Sequence, residues 1–392
     1  MDHRVFAVPC QDYQDARAAL DRLLEMMDGI GQFVVAGESV ILKPNLLRAA
    51  RPDEAVSTHP AVVAAVGRTV VAQGSRAIIA DSPGSGFRYT APVLRRTYEV
   101  CGMTNAAREA GADLNFDTGH EIVSHPEGRL VKRFEVITPV LRADGLINLC
   151  KLKTHVFTGM TGAVKNLFGV IPDLIKPGYH AKLADGRRFA GMLLDLADLI
   201  APRLSIVDAV VGMEGDGPGS GDPRRVGWLL ASESPLALDV VASEMMGLPR
   251  ESNPLLLEAK ARAMSPAQAE EVEVVGATQE ELRVPGFRLP ATRATGVGIA
   301  QPAWWHRPAA VALKSAFTVR PVVAPERCIA CGACVRACPE QVIALTEERG
   351  KQAARIDQRG CIRCYCCHEM CPEDAIELRR SLLHRLLNRS PR

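Results

Sequence analysis

Over the first 250 residues, short apolar runs alternate with segments whose apolar positions recur every three to four residues. Ser39–Leu42, Arg76–Ala80, Gly145–Leu149, Ser205–Val210 and Trp228–Ala231 are short apolar runs, the pattern of strands buried on both faces. Between them, Asp12–Met27 places Leu20, Leu23, Leu24 and Met27 on one side of a helix. Phe189–Ile200 does the same with Phe189, Leu193, Leu196 and Ile200. Pro60–Ala72 follows Thr58, a polar cap candidate with proline near the first turn. The alternation predicts an α/β domain with a largely parallel sheet over residues 1–250.

Beyond it the pattern changes. Residues 251–320 carry scattered prolines, and the expectation is a helix over Pro254–Glu270 followed by an irregular connection. Within that connection Trp304, Trp305, His306 and Arg307 read as packing between the two domains or as a membrane-surface or partner contact. Residues 321–378 hold two short strand-like runs, Gln341–Glu347 and Ala353–Asp357, joined by a polar turn, as in a small α+β domain. Residues 379–392 form a basic tail in which Leu382, Leu383, Leu386 and Leu387 predict a short amphipathic helix, docked on its own domain or serving a partner or membrane surface.

Composition sharpens the second domain. Of 12 cysteines in 392 residues, nine lie between Cys328 and Cys371. No stretch of about 18 uncharged apolar residues exists to span a bilayer, and acids stand where a signal peptide needs an apolar core. The expected location is cytoplasmic, where disulfides are rare, so metal binding is the reading of the clustered cysteines. A formal charge of +2 is too balanced to argue for nucleic acid.

The cysteines form two runs, Cys328-Ile-Ala-Cys331-Gly-Ala-Cys334-Val-Arg-Ala-Cys338-Pro339 and Cys361-Ile-Arg-Cys364-Tyr-Cys-Cys367-His-Glu-Met-Cys371-Pro372. Four-cysteine sites with this spacing also bind zinc, but two complete runs each closed by proline resemble the two-cluster ferredoxins of bacteria. The resemblance covers about residues 321–378 and implies two [4Fe-4S] clusters and electron transport. It also implies that the last cysteine of each run serves the other cluster. Cys328, Cys331, Cys334 and Cys371 would then hold one, and Cys361, Cys364, Cys367 and Cys338 the other. Cys366 is left without a ligand role.

The densest polar stretch outside the tail is Lys151-Leu-Lys153-Thr154-His155-Val-Phe-Thr158-Gly-Met-Thr161-Gly-Ala-Val-Lys165-Asn166. It follows the run Gly145–Leu149 and so is expected at a strand's carboxyl end, where open α/β sheets bind ligands. It contains no acid, and its interleaved apolar residues imply partial burial, so its lysines need a counter-charge. The candidate catalytic residues are Lys153, His155 and Lys165. Lys43, Asn45, Asp81, Lys151, Thr161, Asn166 and Asp208, at equivalent strand ends, are candidates for substrate binding. The glycine-rich stretch Gly212–Gly221 matches neither a P-loop nor a dinucleotide fingerprint; it reads as a surface loop or a substrate lid. His59 and His180 read as structural or capping groups, and Asp239 as a cap-region acid or a pocket residue.

Ile41-Leu-Lys-Pro-Asn45, Lys151-Leu-Lys-Thr-His155, Thr161-Gly-Ala-Val-Lys-Asn166, Gly212-Met-Glu-Gly-Asp-Gly-Pro218 and Ala237-Leu-Asp239 resemble the prokaryotic family catalogued as domain of unknown function 362. The resemblance covers about residues 36–250 and implies an iron–sulfur protein, often fused, as here, to a two-cluster ferredoxin module. Cys150 departs from it, standing where the family more usually has proline. Three functions remain open on the sequence. One is a reductase passing electrons to a small anionic substrate. The second is an electron carrier whose α/β domain docks a redox partner protein. The third is an accessory or maturation factor for another redox enzyme.

Overall fold

The computed structural model describes residues 3–84, 86–172, 175–290, 319–348 and 350–379. Its strands are β1 (Arg4–Pro9), β2 (Ser39–Lys43), β3 (Arg76–Ile79), β4 (Asp113–Leu114), β5 (His120–Ser124), β6 (Arg133–Ile137), β7 (Gly145–His155) and β8 (Gly159–Thr161). They continue as β9 (Leu204–Glu214), β10 (Asp222–Ser232), β11 (Glu273–Val275), β12 (Arg320–Val323), β13 (Ile343–Glu348), β14 (Lys351–Ile356) and β15 (Ile376–Arg379).

The main sheet has the order β11-β1-β10-β9-β7-β2-β3-β4, with β8 paired onto β7. Neighbours are parallel except where β10 meets β1 and β9, and where β8 meets β7. The expected α/β fold with a largely parallel sheet is therefore present. Helices Ala16–Glu25, Pro60–Ala72 and Met103–Ala110 pack on one another as one layer; Gly186–Ile200 and Pro254–Ala261 pack together in another. Both faces are covered, so β7 and β9 are buried along almost their whole length.

The apolar runs are found as strands, but three of them are longer than the sequence indicated. β7 continues past Leu149 to His155, because the polar residues Lys151, Lys153 and His155 find partners across the sheet edge. β9 and β10 likewise extend into a long antiparallel pair that absorbs Gly212–Glu214. The helix over Pro60–Ala72 is as expected, but its cap is His59, whose Nδ1 accepts from the Ala61 amide at 3.2 Å. Thr58 is spent elsewhere, accepting from Asn45 N and donating to the Leu149 carbonyl at 2.7 Å. The predicted helix Pro254–Glu270 is shorter: it ends at Ala261, before Ala263 turns into the left-handed region at φ 54°. The connection is also less irregular than expected, since β11 pairs in parallel with β1 and extends the main sheet to Val275. Residues 304–307 and the tail from 380 lie outside the described residues.

The second domain is a small α+β unit in which β12 pairs with β15, and β13 with β14, all antiparallel. Short helices Ala333–Ala337 and Cys366–Glu369 follow the middle cysteines of each run. This domain packs directly on the first: Ala337, Cys364, Cys366 and Met370 form a common apolar patch with Leu47 and Phe87. Gly86 allows that approach, having φ +91° and no room for a Cβ, which would stand 2.9 Å from the Ala337 methyl.

Candidate functional site

Because β2, β3, β7 and β9 run the same way, their polar carboxyl ends meet along one edge of the sheet. There the charged side chains sort into three groups. Lys43 Nζ binds Asp81 Oδ1 at 2.7 Å, both fully buried, while Asp81 Oδ2 accepts from the Leu46 amide. Lys151 Nζ binds Asp208 Oδ2 at 2.9 Å and the Tyr13 hydroxyl at 2.8 Å. Tyr13 returns a bond to Asp208 Oδ1 and stacks on His59 at 3.5 Å between ring centroids. In both groups the charges are consumed by each other. Of the expected ligand-binding residues, Lys43, Asp81, Lys151 and Asp208 therefore build the frame.

The third group is open. Lys153 Nζ donates to Asn45 Oδ1 and to the Val56 carbonyl, each at 2.7 Å, and Asn45 Nδ2 donates to Asn166 Oδ1 at 2.9 Å. Thr161 faces Lys153 across the β7–β8 pair. Lys165 lies in the short helix Ala163–Asn166, partly exposed, and its ammonium has no hydrogen-bond partner among the described residues. His155 is fully buried, with Nδ1 accepting from the amides of Phe157 and Thr158. Its proton therefore sits on Nε2 when the ring is neutral. His180, stacked on Phe189 at 4.4 Å, completes the wall.

One member of this group comes from the other domain. The Glu369 carboxylate, 4 % exposed, reaches to 3.2 Å from His155 Nε2. The two atoms are close but not aligned for a hydrogen bond: His155 Nε2, Glu369 Oε1, Thr161 Oγ1 and His180 Nδ1 are all buried without partners. Buried polar atoms are ordinarily paired, so such a concentration marks this place in the fold. Burial drives His155 far below the ordinary histidine range, and the Lys165 charge adds to the shift. The same two causes hold His180 near about 3. Burial also lowers the affinity of Lys153 and Lys165 for their protons and raises that of Glu369; the attraction between Lys165 and Glu369 opposes both shifts.

Asp239 supports this group from below. Its carboxylate accepts from the amides of Ala163 and Val164, the start of the helix that carries Lys165. Gly162 must be glycine, since a Cβ there would fall inside contact distance of the same carboxylate. Burial raises Asp239 to about 7 despite those two donors. The folded chain thus keeps a proton that the unfolded chain releases near about pH 4, so this group's contribution to stability falls as pH rises between about 4 and 7. The expected slope is at most about 1.4 kcal/mol per pH unit. Urea unfolding of Asp239→Asn at pH 5.5 and 7 should show that slope reduced relative to the native chain.

The glycine-rich loop is neither a free surface loop nor a lid over an open cleft. Gly217 N donates to Thr154 Oγ1, Arg48 Nη2 donates to the Gly219 carbonyl, and His368 bridges the Asp216 and Ile376 carbonyls. The loop is the seam between the domains, with Gly219 packed against the backbone of Glu369.

The cysteines surround two cavities of similar size. One is lined by Cys328, Cys331, Cys334 and Cys371. The other is lined by Cys338, Cys361, Cys364 and Cys367. Each cavity thus takes three cysteines from one run and one from the other, as the ferredoxin resemblance implies. Among the described residues no three His, Cys, Asp or Glu side chains are grouped as a single ion would require. Four thiols spread around a void fit a cubane rather than zinc. Cys366 is fully buried beside Cys364 and lines neither cavity.

An α/β domain with a buried cationic cluster, joined to a domain built around two four-cysteine cavities, defines an iron–sulfur protein of two clusters. The family models agree: residues 40–244 match the domain of unknown function DUF362, and residues 327–375 match a 4Fe-4S dicluster domain. The chain belongs to the DUF362 family, and it carries two [4Fe-4S] clusters through the cysteines of 328–371. It is 35 % identical over 274 residues to the Thylakoid-associated protein sll1697 of Synechocystis sp., covering 70 % of this chain and 83 % of that one. The lactate racemase apoprotein of Thermoanaerobacterium thermosaccharolyticum overlays 62 % of this chain and 56 % of its own, at 13 % identity and a TM-score of 0.38. No helix among the described residues is long and apolar enough to cross a membrane.

Sequence reasoning missed Glu369, the acid that the buried lysines require. It is one of the three spacer residues between Cys367 and Cys371, and nothing in that run signals a contact with His155. Tyr13 and the stacking of His59 were equally hidden, because their partners lie far along the chain.

Proposed function

We propose that this protein is an iron–sulfur oxidoreductase that receives electrons from a redox partner protein and passes them to a small anionic substrate held in the α/β domain. One observation carries the reading. The helix Cys366–Glu369 contains a cavity-lining cysteine, Cys367, and also the carboxylate that meets His155 in the cationic group. A single turn of helix therefore joins the thiols of one cavity to the candidate substrate site.

When bound, the clusters supply single electrons. In this reading Cys328, Cys331, Cys334 and Cys371 hold one cluster, and Cys338, Cys361, Cys364 and Cys367 the other. Lys153, fixed by Asn45 and Val56, provides a static positive field over the substrate. His155 Nε2–H and Thr161 Oγ1 orient it. Lys165 is the general acid: its proton affinity is lowered by burial toward the working range, and its partly exposed side lets solvent reprotonate it. For each electron that arrives, Lys165 gives up one proton to the substrate. Asn166 holds Asn45 in place, and the Lys43–Asp81 and Lys151–Asp208 pairs keep the strand ends rigid.

The donor would dock where Cys331 is exposed beside Ile329, 60 % exposed. That same surface supports a second reading, an electron carrier with no substrate of its own. A cytoplasmic location goes with either. Anaerobic holoprotein reduced with dithionite separates them: the oxidoreductase is reoxidised by a small anion, and the carrier only by a protein.

A further inference from the structure

The four unpartnered buried atoms and the free Lys165 ammonium can be read as a description of what the site takes, and this step rests on the proposed function's placement of the substrate there. The donors are His155 Nε2–H, Thr161 Oγ1 and Lys165 Nζ, and the group already holds a carboxylate, that of Glu369. Of the two lysines only Lys165 is unengaged, since Lys153 donates to Asn45 and to the Val56 carbonyl. Lys153, whose acceptors are neutral, and Lys165 bring two positive charges, and the tethered Glu369 carboxylate brings one negative charge, so the group is matched by one further negative charge. A phosphate dianion would leave a charge uncompensated in a buried site, which is costly.

Glu369 fills the place imperfectly for a geometric reason. Its backbone is pinned: its amide donates to the Tyr365 carbonyl at 3.0 Å, and Gly219 packs on its own carbonyl. From that anchor the side chain brings Oε1 within 3.2 Å of His155 Nε2 without aligning to it. A free carboxylate has no such tether and can align with His155 and Thr161 while facing Lys165.

We infer that the substrate of this site is a small monocarboxylate, and that the Glu369 carboxylate is its built-in stand-in, displaced by side-chain rotation when the substrate binds. Binding at the α/β domain is thereby read directly by the helix that runs from Cys366 to Glu369, which contains one cavity-lining cysteine, Cys367, and precedes another, Cys371.

The test uses reconstituted holoprotein under anaerobic conditions, with acetate and inorganic phosphate as probes in titration calorimetry. Glu369→Gln removes the competing charge while keeping the shape, and acetate should bind it at least tenfold more tightly than the native chain. Phosphate should gain less than acetate, and adding Lys165→Met should abolish the gain. In the native holoprotein, saturating acetate should also alter the electron paramagnetic resonance signal of the reduced clusters, a measurement that holds if Glu369→Gln fails to load iron. Unchanged acetate affinity in Glu369→Gln, an equal gain for phosphate, or a native signal indifferent to acetate would each overturn the inference. If anions still bind in a manner dependent on Lys165, the oxidoreductase reading survives that result; if the native chain and the variant bind no anion, both fall.

Discussion

Serine at position 371 should cost the protein the cluster surrounded by the first cysteine run, although Cys371 belongs to the second. Iron is expected to fall from about eight to about four per chain after anaerobic reconstitution. Cys338→Ser should cost the other cluster by the same logic. The crossing is what makes this informative, and double variants expose it through their non-additivity. Cys331→Ser with Cys371→Ser should lose no more iron than either alone, since both line the same cavity. Cys338→Ser with Cys371→Ser should lose nearly all of it, since they line different ones. Loss of nearly all iron in the first of these double variants, Cys331→Ser with Cys371→Ser, would show instead that each run holds its own cluster.

The second large effect separates two lysines that look alike in sequence. Lys165→Met should lower the affinity for a small anion by about a hundredfold or more, with cluster content and unfolding temperature little changed, because that ammonium makes no hydrogen bond among the described residues and only a longer-range attraction to Glu369. The expected size follows from removing a charge-assisted contact of about 3 kcal/mol from a buried site. Lys151→Met should do the reverse. Asp208 is fully buried and would be left with only neutral partners, the Tyr13 hydroxyl and the His59 and Val210 amides. Breaking a buried pair from one side costs about 3–5 kcal/mol, so the variant should unfold at markedly lower temperature or fail to accumulate. Anion titration and thermal unfolding of the two variants side by side provide the check.

Much of this fold is legible in the sequence because burial on both faces leaves an unmistakable trace. Runs such as Val40–Leu42 and Leu146–Leu149 have no polar alternation to confuse them with exposed strands. The same rule hides the functional half of β7. Lys151, Lys153 and His155 interrupt the apolar run, so the strand reads as ending at Leu149, and only the partners Asp208, Asn45 and Glu369 explain how the charges are tolerated inside. Those partners lie on other strand ends or in another domain, separations that no local pattern records. β1 is missed for a different reason: its run is short and closes on Pro9, which reads as a break rather than the end of a strand. The cysteine runs, by contrast, carry their chemistry in their spacing, and the structure places all eight expected ligands around two cavities.

The central claim is that electrons held by the two-cluster domain reach an anion held by the α/β domain. The most direct measurement is a single-turnover experiment: holoprotein reduced with dithionite, freed of excess reductant, and mixed anaerobically with a panel of small carboxylates while visible absorbance near about 400 nm reports the clusters. The account predicts that at least one carboxylate reoxidises the native protein, and that Lys165→Met with a full complement of iron does so at least a hundredfold more slowly. Reoxidation by no member of the panel, or reoxidation at the same rate in Lys165→Met, would contradict it.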